Sequence, residues 1–239
     1  PLEKIDPLPG AEYFLNMKVS RSDEWNYVPE DHVYATAQFK LPVEGKLIPA
    51  KSDVLSILQT KTIDKKLEVS GVDLKIVFDL EKGRLESYNY KGKELIKKGP
   101  EPDFWRPPTD NDYGYNMDKL FGVWKKAGER TIVTKASISQ PEMGKVVVTF
   151  NYDIPDADGK KIAGYASSFT IYGSADVVVK NQFSKLSNAI PEIPRMGMQM
   201  QLPEDFTNLT WLGRGPHENY CDRKTSAYVG LYESTVADQ

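Results

Sequence analysis

The sequence has one cysteine, Cys221, and two histidines, His32 and His217. A single cysteine excludes an intrachain disulfide and a cysteine-based metal finger. No zinc-binding histidine pair is present. Positive charge is in deficit, with 31 Lys plus Arg against 34 Asp plus Glu and a net charge of -3. No overall positive field therefore exists to hold a nucleic acid or an anionic membrane. No apolar run reaches the length of a bilayer span. A Gly-rich phosphate loop after a strand and a serine elbow are also missing. These absences leave a soluble protein with neither nucleic acid nor membrane as partner, and do not choose between cytoplasm and periplasm. The first residues, PLEKIDPLPG, lack the basic-then-apolar layout of a secretion signal and read as a linker.

What is present is an ordinary globular composition, 40% hydrophobic and 27% charged over 239 residues, enough for two domains or for one large all-β domain with an added piece. Residues 13–20 and 33–41 alternate apolar and polar side chains, as half-buried strands do. Two strands alone cannot bury both faces, so this pair must lean on something else. From Asp73 the pattern becomes dense, with turns expected at Glu81–Gly83 and Lys91–Lys93. Further strands are expected over 131–139, 144–154, 160–172, 176–186, 195–202 and 207–212. DADG at 156–159 and GSAD at 173–176 supply tight turns. Met196, Met198, Met200 and Leu202 fall on one face of one strand, and a core face is the simpler reading than a flexible binding stripe. One helix is expected after Asn116 as N-cap, with Met117, Leu120, Phe121 and Trp124 at helical spacing and Gly128 as its stop. A boundary is expected near 62, after LPVEGKLIPAKSD and a short strand.

Two polar clusters could carry chemistry. The first lies in DFWRPPTDNDYGYNMD, Asp103 to Asp118. Asp110, Asn111 and Asp112 offer hard oxygen ligands, but a calcium loop needs oxygen ligands, Gly and Glu at later fixed positions, where this chain has Gly114, Tyr115 and Phe121. The simpler reading is that they bond nearby backbone and lock a loop behind Pro107 and Pro108. A ligand-facing role stays open beside it. As a glycosidic acid pair Asp110 and Asp112 are poorly placed, because two residues apart on one loop they lie on the same side of a bound ring.

The second cluster is GRGPHENYCDRKTSA, Gly213 to Ala227. His217, Cys221 and Asp222 suggest a Cys-His nucleophile only superficially, since no thiolate stabiliser is evident. A turn-rich corner of hydrogen-bonding groups is the simpler reading. His32 reads as a solvated or loop-bonding residue. Trp105, Trp124 and Trp211 could stack on sugar faces, but core packing accounts for each as well.

FWRPPTDNDYG (Phe104 to Gly114) and LGRGPHENYCDRKTSA (Leu212 to Ala227) resemble signature segments in the C-terminal region of large bacterial β-galactosidases of glycoside hydrolase family 2. IPRMGMQMQLP and TNLTWLG fall where that family has intervening strands, and the resemblance covers nearly the whole chain. It implies an all-β fold. Residues 63–239 would be most of the first part of a large antiparallel β-supersandwich, galactose mutarotase-like, whose C-terminal part continues beyond Gln239. Residues 1–62 would be the last strands of an immunoglobulin-like β-sandwich.

It further implies hydrolysis of terminal β-D-galactosyl residues with retention, by two glutamates on a TIM-barrel domain outside this chain. Catalytic residues and cofactors are then expected to be absent here, the family's Mg and Na being bound mainly by other domains. The expected partners are the rest of the enzyme chain with its barrel, the β-galactoside substrate, and further copies in a homo-oligomer. None of Trp25, Trp105, Trp124 and Trp211 matches the tryptophan that lines the family's active-site mouth. The family's mobile active-site loop begins at the glycine matched by Gly114. Asp110, Asn111 and Asp112 would be its base, and Gly114, Tyr115 and Asn116 its hinge and first residues. Two rivals remain: a freestanding carbohydrate-binding module, and a mutarotase-like enzyme, which would need an acid/base pair within the chain.

Overall fold

Alternation in the sequence is realised as strands in a computed structural model that describes residues 4–23, 27–46 and 55–239. Trp25 and residues 47–54, which include most of the expected boundary stretch, lie outside the described residues. In chain order the strands are β1 (Glu12–Ser20), β2 (Val33–Glu44), β3 (Gln59–Ile63), β4 (Lys66–Gly71), β5 (Leu74–Asp79), β6 (Arg84–Tyr90), β7 (Lys93–Glu94) and β8 (Lys98–Asp103). Two short helices follow, α1 (Asp110–Gly114) and α2 (Met117–Leu120). The remaining strands are β9 (Ile132–Glu142), β10 (Lys145–Pro155), β11 (Lys161–Tyr172), β12 (Val177–Lys185), β13 (Gly197–Gln201), β14 (Asn208–Gly215) and β15 (Tyr228–Thr235). The fold is all-β and antiparallel.

The chain divides into two units, one of residues 51–206 and one of residues 1–50 with 207–239. In the first, β3 to β7 form a five-stranded meander and β9 to β12 a four-stranded one. The inward faces are read directly from the alternation. Leu67, Val69, Ile76, Phe78 and Leu85 of the first sheet meet Val146, Val148, Phe150, Phe169 and Ile171 of the second in one core. Each of these large side chains contributes about 1.5–3 kcal/mol on burial. Phe78 is central, with ring centroids 5.3 Å from Phe169 and 6.1 Å from Phe150. Tight connections keep the meanders in register. Asp64 and Lys65, between β3 and β4, both take positive φ, as do Lys91 and Gly92 between β6 and β7, the two-residue geometry that matches strand twist.

β8 reads KGPEPD and pairs with β13. Two prolines in six residues obscure it as a strand, which is why alternation alone does not find it. The four-residue turn at 156–159 is closed by Asp156, whose carboxylate accepts the amides of Asp158 and Lys160. On the outer face of the first sheet, Asp79 is held by Lys66 and by the amides of Glu81 and Lys82. Burial pushes its pKa up, but the Lys66 ammonium and the two amides outweigh this and bring it down to about 2.

Two expectations fail here. The Met row is not a core face: Met196, Met200 and Leu202 are exposed, because β13 has only β8 beside it and no layer over that side among the described residues. The single helix is two fragments. Asn116 does stand at the N-cap of α2, its carbonyl accepting the Lys119 and Leu120 amides, but its side chain makes no capping bond and its left-handed φ of 59° also closes α1, as helix-terminating Asn does. After four residues α2 stops at Phe121 (φ -116°), and Gly122–Trp124 form a 3-10 turn. Gly128 is required for a different reason from the one expected. A Cβ there would lie 1.9 Å from the Pro102 carbonyl oxygen.

The second unit answers what the first hairpin leans on. β1 and β2 pair with each other, β14 and β15 pair with each other, and the hairpins are joined by hydrogen bonds between Gln38 and Val229 and between Thr36 and Tyr228.

Candidate functional site

The segment following β8 is pinned at both ends by aromatic packing. Phe104 is buried, its ring centroid 5.9 Å from Trp124, 5.8 Å from Tyr165 and 5.6 Å from Phe183. Trp124 in turn donates its Nε1 to the Pro191 carbonyl at 3.1 Å. Between these anchors Met117 is buried, while Tyr113 and Tyr115 stand out at 63% and 62% exposure. The tips of the segment are therefore free while its roots are fixed.

Asp112 is the lock. It accepts both arms of the Arg106 guanidinium, at 2.5 and 2.8 Å, and the amide and hydroxyl of Thr109 at 2.8 and 2.9 Å. Thr109 precedes α1, so the carboxylate three residues on reaches back to an amide the helix cannot satisfy, the geometry of a capping box. The Thr109 amide, with the Arg106 guanidinium, holds the carboxyl below the usual carboxylate range. Three of these four bonds fall on Oδ2 and one on Oδ1, so the carboxylate is held flat against the guanidinium as part of the loop's own framework.

Asp110 and Asn111 behave differently: both are exposed, and neither side chain has a hydrogen-bond or ion-pair partner among the described residues. The structure thus splits the DND triplet into one structural acid and two accessible polar groups. Gly114 ends α1 in ordinary backbone geometry, and no atom lies within 4 Å of the point where a Cβ would stand. The residue with unusual backbone is Asn116, two positions later. Tyr115 packs obliquely against Phe121 at 5.8 Å. All six expected residues thus lie on α1 and its exit, with Asp112 turned to Arg106.

The second cluster is a hydrogen-bonded corner. Arg214 donates to the carbonyls of Lys224 and Ala227 at 3.0 and 2.7 Å, and Trp211 stacks on Tyr232 at 5.3 Å while donating to the Arg214 carbonyl. His217 Nδ1 lies 2.8 Å from the Glu218 carbonyl and its Nε2 lies 3.5 Å from Ser226. Cys221 is exposed. His32 stands edge-on to Tyr34 at 5.1 Å.

Among the described residues no group of three or more His, Cys, Asp and Glu is placed to hold a metal ion, and no helix is long and apolar enough to cross a membrane. A cleft of about 500 Å³ runs along β6 and β8, and no residue of either cluster lines it. Its charges neutralise one another: Arg84 and Lys98 share Glu101 at 2.8 and 2.6 Å, Glu86 meets Lys66, Lys97 meets Glu204 and Lys82 faces Asp79.

Residues 70–239 match the family model described as beta galactosidase small chain. The chain belongs to that family. The curated relatives agree. It is 32% identical over 216 residues to a beta-galactosidase of Priestia megaterium, a match covering 88% of this chain and 20% of the relative. A beta-galactosidase of Halalkalibacterium halodurans is 32% identical over 232 residues, 96% of this chain and 22% of the relative. One of Photobacterium profundum is 31% identical over 246 residues, 97% and 24%. The chain thus spans about a fifth to a quarter of the length of these relatives.

The small-chain match contains both polar clusters. Sequence reading missed Arg106 and Thr109, the partners of Asp112. The signal was there: Thr109 followed by Asp112 just before an apolar-bearing segment is the spacing of a helix start.

Proposed function

We propose that this chain is the scaffold and active-site-loop portion of a β-galactosidase that hydrolyses terminal β-D-galactosyl residues with retention. The observation that carries this is the small-chain match over residues 70–239, together with β-galactosidase relatives four to five times as long. In this reading the acid/base and nucleophilic glutamates, and the enzyme's Mg and Na, sit on other parts of the enzyme, including a TIM barrel, and the intact enzyme is a homo-oligomer. Residues 1–62 are the closing strands of an immunoglobulin-like domain and 63–239 the start of a mutarotase-like supersandwich.

The 239-residue chain alone is then expected to show no turnover of a chromogenic β-galactoside, while the same chain within its full-length enzyme is active. Turnover by the isolated chain above a matched blank would place the catalytic carboxylates here and overturn the reading.

In the intact enzyme α1 and its exit border the galactose pocket. Arg106, Thr109 and Asp112 are the rigid base, Asp110 and Asn111 face the ligand side, and the chain swings at Gly114 carrying Tyr115 and Asn116. Gly114→Ala tests this cleanly. Nothing crowds the position and α1 tolerates Ala better than Gly by up to about 1 kcal/mol, so stability is expected to hold or rise. If the loop passes through backbone geometry open only to glycine, KM and kcat for a β-galactoside both worsen. Kinetics equal to the parent enzyme's would remove Gly114 from the hinge.

A further inference from the structure

Among the described residues β15 pairs with β14 on one side only, and alternate residues of such a strand turn their N–H and C=O outward. Val229 is one of these, and its outward pair is taken by a side chain 191 positions away. Gln38 Nε2 donates to the Val229 carbonyl at 2.9 Å, and the Val229 N–H donates to Gln38 Oε1 at 2.8 Å. A primary amide is suited to this because it offers a donor and an acceptor in one plane, as a neighbouring strand would. Its orientation is fixed by Asn16, directly across the β1–β2 ladder, whose Oδ1 accepts the second Nε2 proton at 2.9 Å. Two residues along β2, on the same face, Thr36 Oγ1 accepts the Tyr228 hydroxyl at 2.6 Å.

What these contacts hold is the end of the polar corner. Tyr228 and Val229 follow Ala227, which is fully buried, and the Ala227 carbonyl receives Arg214. The Tyr228 carbonyl receives the Tyr232 hydroxyl at 2.8 Å. We infer that the Thr36 and Gln38 face of β2 is a docking surface for the open backbone edge of β15, and that Gln38 is the positioning residue that sets the corner from His217 to Ala227. The small-chain match begins at residue 70, so its second motif is held by a residue outside the match.

Amide hydrogen exchange on the whole 239-residue chain tests this. Gln38→Leu removes donor and acceptor. It is expected to speed exchange of the Val229 amide by roughly tenfold, the scale of one lost hydrogen bond, and to shift the resonances of Arg214 and Ala227. Val148 and Phe169, in β10 and β11, are expected to exchange as before. Gln38→Glu keeps an acceptor for the Val229 N–H, so protection there is expected to be largely retained although the carbonyl loses its donor. Unchanged Val229 exchange in Gln38→Leu overturns the inference. So does equal acceleration at Val148 and Phe169, or a Gln38→Glu chain no better protected than Gln38→Leu, because each would mark general destabilisation and no specific reading of the β15 edge.

Discussion

Phe78→Ala is expected to destabilise the unit of residues 51–206 by about 3–5 kcal/mol, the range for truncating a fully buried aromatic. The ring has no exposed surface and touches both layers, so its loss leaves a cavity that neither sheet can close without moving its ladder. Neighbouring Phe150 and Phe169 are themselves packed edge to face and cannot both swing into the gap. Urea unfolding followed by circular dichroism reads the change as a lower midpoint at similar slope. A loss under about 1 kcal/mol, the cost of a peripheral site, would mean the two sheets do not share one core.

Trp124→Ala is expected to cost about the same, ~3–5 kcal/mol, but with a different spatial signature. Among the described residues Trp124 is the largest fully buried side chain, and it touches Phe104 and Phe183 while bonding the Pro191 carbonyl. Removing it leaves that carbonyl without its donor and takes away one wall of the Phe104 site. The anchors of α1 and α2 therefore loosen, and amide exchange at Tyr113 and Tyr115 is expected to rise more than exchange at Val69 or Ile76 in β4 and β5. Equal rises in both places would show that Trp124 supports the whole core and not the candidate loop in particular.

How far the fold could be read in advance depended on whether a residue's environment was local. β10 and β11 were plain because every second side chain is buried. Val146, Val148 and Phe150 face inward while Val147, Thr149 and Asn151 do not, and a two-residue period needs a core on one side only. β15 was missed because its short alternation is interrupted by Gly230 and one outward-facing Leu231 remains exposed. The helix over 117–128 was overread: helical spacing of Met117, Leu120, Phe121 and Trp124 signals a shared buried side, and a 3-10 turn after Phe121 satisfies it equally well. At the candidate site the motif itself was legible, and so was its locking character. Which of the acids does the locking was not, since that rests on Arg106, six positions away with two prolines between. Gly128 shows the same limit. Its requirement comes from a backbone carbonyl at Pro102, a tertiary neighbour that no local pattern encodes.

The prolines of β8 have a consequence for how the molecule behaves in a crowded solution. Pro100 and Pro102 lie on alternate positions, so the amide hydrogens they lack belong to the same margin of the strand, while Glu101 between them stands opposite Gln199 of β13. The margin turned away from β13 is left chemically mute over the middle of the strand. With no donor at either proline and the Pro102 carbonyl already covered by Gly128, that margin offers a second polypeptide no ladder on which to zip and extend the ribbon into a fibre.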